Sequence, residues 1–81
     1  MAYSIDKVIK HIDDNLQTLL SNIDYRFEVS PSKNNKDLFG VSVHLPNNTI
    51  VTFGISTSII RDRSYRRAFW DHCSNLIVKE V

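Results

Sequence analysis

The 81-residue sequence predicts an α+β fold of order helix–strand–strand–strand–helix, with a three-stranded antiparallel meander and two helices packed on one of its faces. Three patterns predict it. Apolar residues recur every three or four positions near both ends of the chain. Between those ends they alternate every second position. The links between the alternating runs are short, which favours hairpins over crossovers. A sheet with one apolar face needs cover, and two helices with one apolar stripe each supply it.

The first helix opens at Ser4, a residue type that caps free backbone N–H groups with its hydroxyl. Ile5, Val8, Ile9, Ile12, Leu16, Leu19, Leu20 and Ile23 then trace one stripe over about five turns. Asp6, Lys7, Lys10, His11, Asp13, Asp14 and Gln17 take the polar side, and Asn22 or Asp24 ends the helix. The first strand follows, with Tyr25, Phe27 and Val29 alternating with Arg26, Glu28 and Ser30. Pro31 to Asp37 is a polar loop. Phe39, Val41, Val43 and Leu45 form a second strand, and Val51, Phe53 and Ile55 a third, with Pro46-Asn47-Asn48 as the turn between them. Thr57 to Asp62 is expected as a loop or broken turn, because Ile59 and Ile60 fit the next stripe poorly. The last helix carries Tyr65, Ala68, Phe69, His72, Cys73, Leu76 and Ile77 on its apolar side, with Ser64 or Asp62 as cap. The expected core is Ile5, Ile9, Ile12, Leu16, Leu19, Phe27, Val41, Val43, Val51, Phe53, Phe69, Cys73 and Leu76.

Composition narrows the function. Residues 1–81 read as a single domain, ordinary in its 42% apolar and 23% charged content. A net charge of +1 speaks against a histone-like tail or an acidic DNA mimic. One cysteine makes no internal disulfide, which points to a reducing, cytoplasmic setting. Apolar runs never exceed three residues, so no membrane-spanning helix or signal peptide is expected. Nine Ile, nine Ser and seven Asn against two Ala and two Gly suit an AT-rich coding source. Together with a chain that starts at its own Met, this fits a phage or mobile-element protein.

The charge is uneven. Residues 61–67, Arg-Asp-Arg-Ser-Tyr-Arg-Arg, hold four of the five arginines. They open the last helix, where the dipole favours anions and free N–H groups point outward. A phosphate or carboxylate there would relieve the conflict. Trp70 has Arg66 and Arg67 at i−4 and i−3, a pairing typical of binding hot spots. The competing reading puts Trp70 under the sheet edge and leaves the arginines solvated or paired with Asp6, Asp13 and Asp14. Candidate contact residues are therefore Arg61, Arg63, Arg66, Arg67 and Trp70, with Lys33 and Lys36 from the polar loop. The uncovered sheet face should show Arg26, Glu28, Ser42, His44, Ile50 and Thr52, and both outer strands leave open edges that suit a homodimer.

Catalytic chemistry is not expected. No Cys or His pair has metal-ligand spacing, Cys73 falls on an apolar stripe, and no nucleophile–base pair is apparent. No metal and no cofactor are predicted.

The order helix–strand–strand–strand–helix, with cations opening the last helix, resembles the double-stranded-RNA-binding domain. In that family such cations span phosphates across a major groove, which would be the role of Arg63, Arg66 and Arg67. The chain has Arg63-Ser64-Tyr65-Arg66-Arg67-Ala68-Phe69 where the family has a Lys-Lys-x-Ala-Lys run. Ser32-Lys33-Asn34-Asn35-Lys36-Asp37 stands where the family has a Gly-Pro-x-His loop. The element order is also similar to small HicA-type ribonuclease toxins, with His44 in place of their Gly-Ser-His histidine. The leading expectation is a non-enzymatic inhibitor or regulator that docks on a protein of the nucleic-acid machinery through the Arg/Trp surface. RNA binding is the alternative, and a ribonuclease toxin follows it.

Overall fold

The computed structural model describes residues 4–80. They form helix α1 (Ile5–Leu19), strands β1 (Arg26–Pro31), β2 (Leu38–His44) and β3 (Ile50–Ser56), a one-turn helix α2 (Thr57–Arg61) and helix α3 (Arg63–Val78). The α+β order and the antiparallel meander β1-β2-β3 are as expected. No helix of the described residues is long and apolar enough to cross a membrane.

Ser4 caps α1 with its hydroxyl, accepting from the N–H of Lys7. The helix stops at Leu19, about a turn earlier than the stripe suggests. Leu20 leaves helical geometry, yet stays buried, so it continues the spacing without continuing the helix. Val8, Ile12 and Leu16 are the fully buried line. Ile5 and Ile9, expected inside, lie at the margin and stay more than a third exposed.

The sheet register explains which residues face inward. Phe39, Val41 and Val43 of β2 are buried, opposite Ile55, Phe53 and Val51 of β3. Phe27 and Val29 of β1 join the same row. The alternate positions form the open face: Arg26, Glu28, Ser42, His44, Ile50 and Thr52 share it as expected. The β2–β3 turn closes through the Leu45 N–H donating to Thr49 and the Asn48 N–H donating to Leu45. Asn48 takes a left-handed φ of 65°, which Asn tolerates better than most residues.

Two expectations after β3 are corrected. Thr57 to Arg61 is helical, capped by the Ser56 hydroxyl and tied to the sheet end by Thr57 N–H to the Asp37 carbonyl. One turn is too short to show helical periodicity in a sequence. Ile60, poorly placed for α3, is buried on α2. The buried stripe of α3 is Trp70, Cys73 and Ile77, with Phe69 half-buried. The expected stripe is met in part: Phe69, Cys73 and Ile77 lie on the covered side as expected, whereas Tyr65, Ala68, His72 and Leu76 are exposed and Trp70 takes their place inside. The difference follows from Trp70, whose large ring goes inward against Phe53 and Phe69.

These positions generate a contrast. Leu16→Ala should lose about 3 kcal/mol of unfolding free energy, by lost transfer and a residual cavity. Ile9→Ala should lose less than half as much, because its side chain already meets water. Urea unfolding of both variants checks the ranking.

Candidate functional site

The arginine-rich segment folds around its own aspartate. Asp62 is the N-cap of α3: one carboxylate oxygen accepts from the N–H of Ser64 at 2.9 Å and of Tyr65 at 3.2 Å. The expected anion site at this helix end is thus filled from within the chain. A negative side chain there also answers the positive end of the dipole.

The arginines then separate by role. Arg66 lies on the buried side of α3, half-exposed, and its guanidinium donates to the Ile60 carbonyl at 3.0 Å. That carbonyl lies near the end of α2, where helical partners run out, so Arg66 staples α2 to α3. Arg63 and Arg67 are exposed, and no hydrogen bond or ion pair engages their guanidinium groups among the described residues. Among the described residues no ion pair joins Arg63, Arg66 or Arg67 to the α1 carboxylates: Asp14 pairs with Lys10, and Asp13 accepts from Gln17. Arg61 is exposed on α2, and Lys33 and Lys36 are exposed in the β1–β2 loop.

Arg63, Arg66, Arg67 and Trp70 line one groove of about 430 Å³ with His11, Asp14 and Asn15 of α1 and Asp71. Arg61, Lys33 and Lys36 lie outside this lining. Trp70 is only 8% exposed, so it serves as a floor and not as a projecting contact. The reading that packs it under the sheet edge is the one the structure bears out. Its N–H, however, meets no water-facing edge: Nε1 donates to His11 Nε2 at 2.9 Å. The two rings tilt at 52° with centroids 5.7 Å apart.

His11 was expected on the polar side of α1. It sits instead on the flank facing α3, half-buried, with Asn15 donating its amide to the His11 carbonyl one turn on. The spacing from the α1 stripe leaves a flank position open to either reading, and nothing local reveals a partner on another helix. Because Nε2 accepts, the ring is neutral and carries its proton on Nδ1. Burial first, then the Arg66 cation, hold the His11 pKa below the usual 6.5, while Asp14 opposes them.

The other chemistry-bearing residues lie elsewhere. Burial pushes the Cys73 thiol up to about 11, so it stays protonated and inert. His44 lies on the open sheet face, its Nε2 enclosed without a hydrogen-bond partner and 3.9 Å from a Glu28 oxygen. It is not among the residues that line the groove. The groove brings together the guanidinium groups of Arg63 and Arg67 and the carboxylates of Asp14 and Asp71, so it presents both signs of charge. No protein-family model, curated protein or solved structure matches the chain.

The His11–Trp70 bond has a pH signature. A histidine with a depressed folded pKa contributes stability that is full above 6.5 and is lost as pH falls through the lowered value. Unfolding free energy should therefore drop as pH moves from above 6.5 towards acid, and His11→Gln should flatten that part of the profile. An identical pH slope in the variant contradicts the assignment.

Proposed function

We propose that this chain is a non-enzymatic binding module whose α1–α3 groove docks on an acidic surface of a protein of the nucleic-acid machinery and so modulates it. One observation carries the reading. Arg63 and Arg67 present guanidinium groups with no intramolecular partner among the described residues, beside a rigid aromatic floor. Arginine is among the residues enriched in interface hot spots. A guanidinium fork also suits a carboxylate, which it binds through two hydrogen bonds.

Asp14 and Asp71 in the same lining favour a protein over a nucleic acid. A phosphate backbone is negative throughout and would meet two carboxylates there. A protein surface offers both signs. Lys10, paired with Asp14, softens that repulsion without removing it.

The test uses Arg63→Ala and Arg67→Ala, because Arg66 also holds α2. Each substitution should leave the melting temperature unchanged and weaken partner binding about tenfold, or about 1.4 kcal/mol. Pull-down from the source cell, repeated with the double variant, identifies the partner and measures the loss. An RNA duplex longer than the roughly 16 base pairs that a duplex-binding domain spans is titrated in parallel at two salt concentrations. Partner capture lost in the double variant, with no duplex binding at low salt, supports protein docking. Salt-steep duplex binding lost in the same variant would replace it with RNA recognition.

A further inference from the structure

The sheet has two open edges, and they are not alike. β1 reads Arg-Phe-Glu-Val-Ser-Pro, with two charges and a terminal proline that has no N–H to donate. Such residues discourage edge-to-edge pairing. β3 reads Ile-Val-Thr-Phe-Gly-Ile-Ser. It has no charge and no proline, and its register with β2 runs unbroken from Ile50 to Ser56, so no bulge bends it away. Seven residues at about 3.4 Å each make a ladder roughly 24 Å long, with Ile50, Thr52 and Gly54 exposed and Ile55 covered near its end. Along it Ile50 is 54% exposed. Val51 and Phe53 are half-buried although they face the core. Their β2 neighbours Val43 and Val41 are fully covered. The core thins towards this edge.

We propose that β3 is a pairing edge whose occupant is a second copy of this chain. The two β3 strands run antiparallel with Phe53 opposite Phe53, joining two three-stranded sheets into one of six strands. The strand is self-complementary about Phe53. Val51 stands opposite Ile55 of the second copy on the core side; Ile55 is already covered by its own chain, so the half-buried Val51 is what the pairing would cover. Thr52 faces Gly54 of the second copy on the open side, so the bulkier residue meets the position with no side chain. Ile50 faces Ser56 of the second copy. No like charges come together, because the strand has none.

The glycine is part of the argument. Gly54 sits beside Gly40 and, across it, Ser30, in a row of small residues on the open face. Neither glycine has a positive φ. A Cβ at Gly54 would meet Leu38 Cδ1 at 3.6 Å and the Phe39 carbonyl at 3.8 Å, which is ordinary contact. The chain's own packing therefore does not require glycine there, and strands are weakened by it. In the paired edge Gly54 leaves room for Thr52 and the exposed Ile50 of the second copy to lie over the hollow.

Two double variants, each adding two charged side chains to the open face of β3, test this. Thr52→Lys with Gly54→Lys sets lysine opposite lysine twice across the two-fold axis. Thr52→Lys with Gly54→Glu sets lysine opposite glutamate twice. Sedimentation equilibrium of the wild type should give about twice the 9.4 kDa chain mass. The like-charge double should be monomeric, and the opposite-charge double dimeric. Amide hydrogen exchange across residues 50–56 of the wild type should slow as concentration rises, a readout that stands even if the like-charge double fails to fold. A wild type monomeric from micromolar to millimolar concentration overturns the proposal. So does a like-charge double that dimerises as well as the wild type, or concentration-dependent protection that falls on β1 instead.

Discussion

Trp70 governs how the two long helices sit on the sheet. Its indole is the largest apolar body in the chain, and it carries one N–H that must find an acceptor once buried. The ring packs edge-on to Phe53 of β3 and Phe69 of its own helix. The N–H reaches across to α1 and donates to His11 Nε2. That bond fixes the rotation of α3, keeps His11 neutral, and sets His11 and Asn15 as one wall of the groove. A phenyl ring at position 70 would fill most of the space but leave a buried ring nitrogen unpaired.

The charges follow from this geometry. With Trp70 inward, Arg66 is drawn to the same side, where its aliphatic stem packs and its head finds the Ile60 carbonyl. Asp62 spends its carboxylate on the α3 N-terminus. Arg63 and Arg67 are left pointing into solvent beside the indole. Within a chain of near-neutral net charge, the positive charge of the groove is therefore local, concentrated in two guanidinium groups over an apolar floor. The pairing proposed for the uncharged β3 edge is of a different kind and would rest on main-chain groups.

Much of the fold is legible in the sequence, for identifiable reasons. The three strands are half-buried, so alternation at Phe27–Val29, Phe39–Val43 and Val51–Ile55 reads through directly. Ser4 and Asp62 announce helix starts because capping is local chemistry. The end of α1 is obscured because Leu20 keeps the apolar spacing after the helix has stopped, with no glycine or proline to mark the place. The one-turn α2 is hidden because a single turn has no period. The face of α3 is legible in part: Cys73 and Ile77 stand on the apolar spacing and are buried, but Tyr65, Ala68 and Leu76 fit that spacing too, and only the packing of Trp70 turns them outward. At the site, the arginine cluster is visible in composition, whereas its division into a staple and two free groups depends on α2. His11 is missed because its partner lies 59 residues away.

The most direct test of this account is nitrogen-15 NMR of the His11 ring together with hydrogen exchange of the Trp70 indole N–H, above pH 6.5. The account predicts an unprotonated Nε2, a proton on Nδ1 and an indole N–H protected from exchange. A proton on His11 Nε2, or an indole N–H that exchanges as fast as in an unfolded chain, would contradict it.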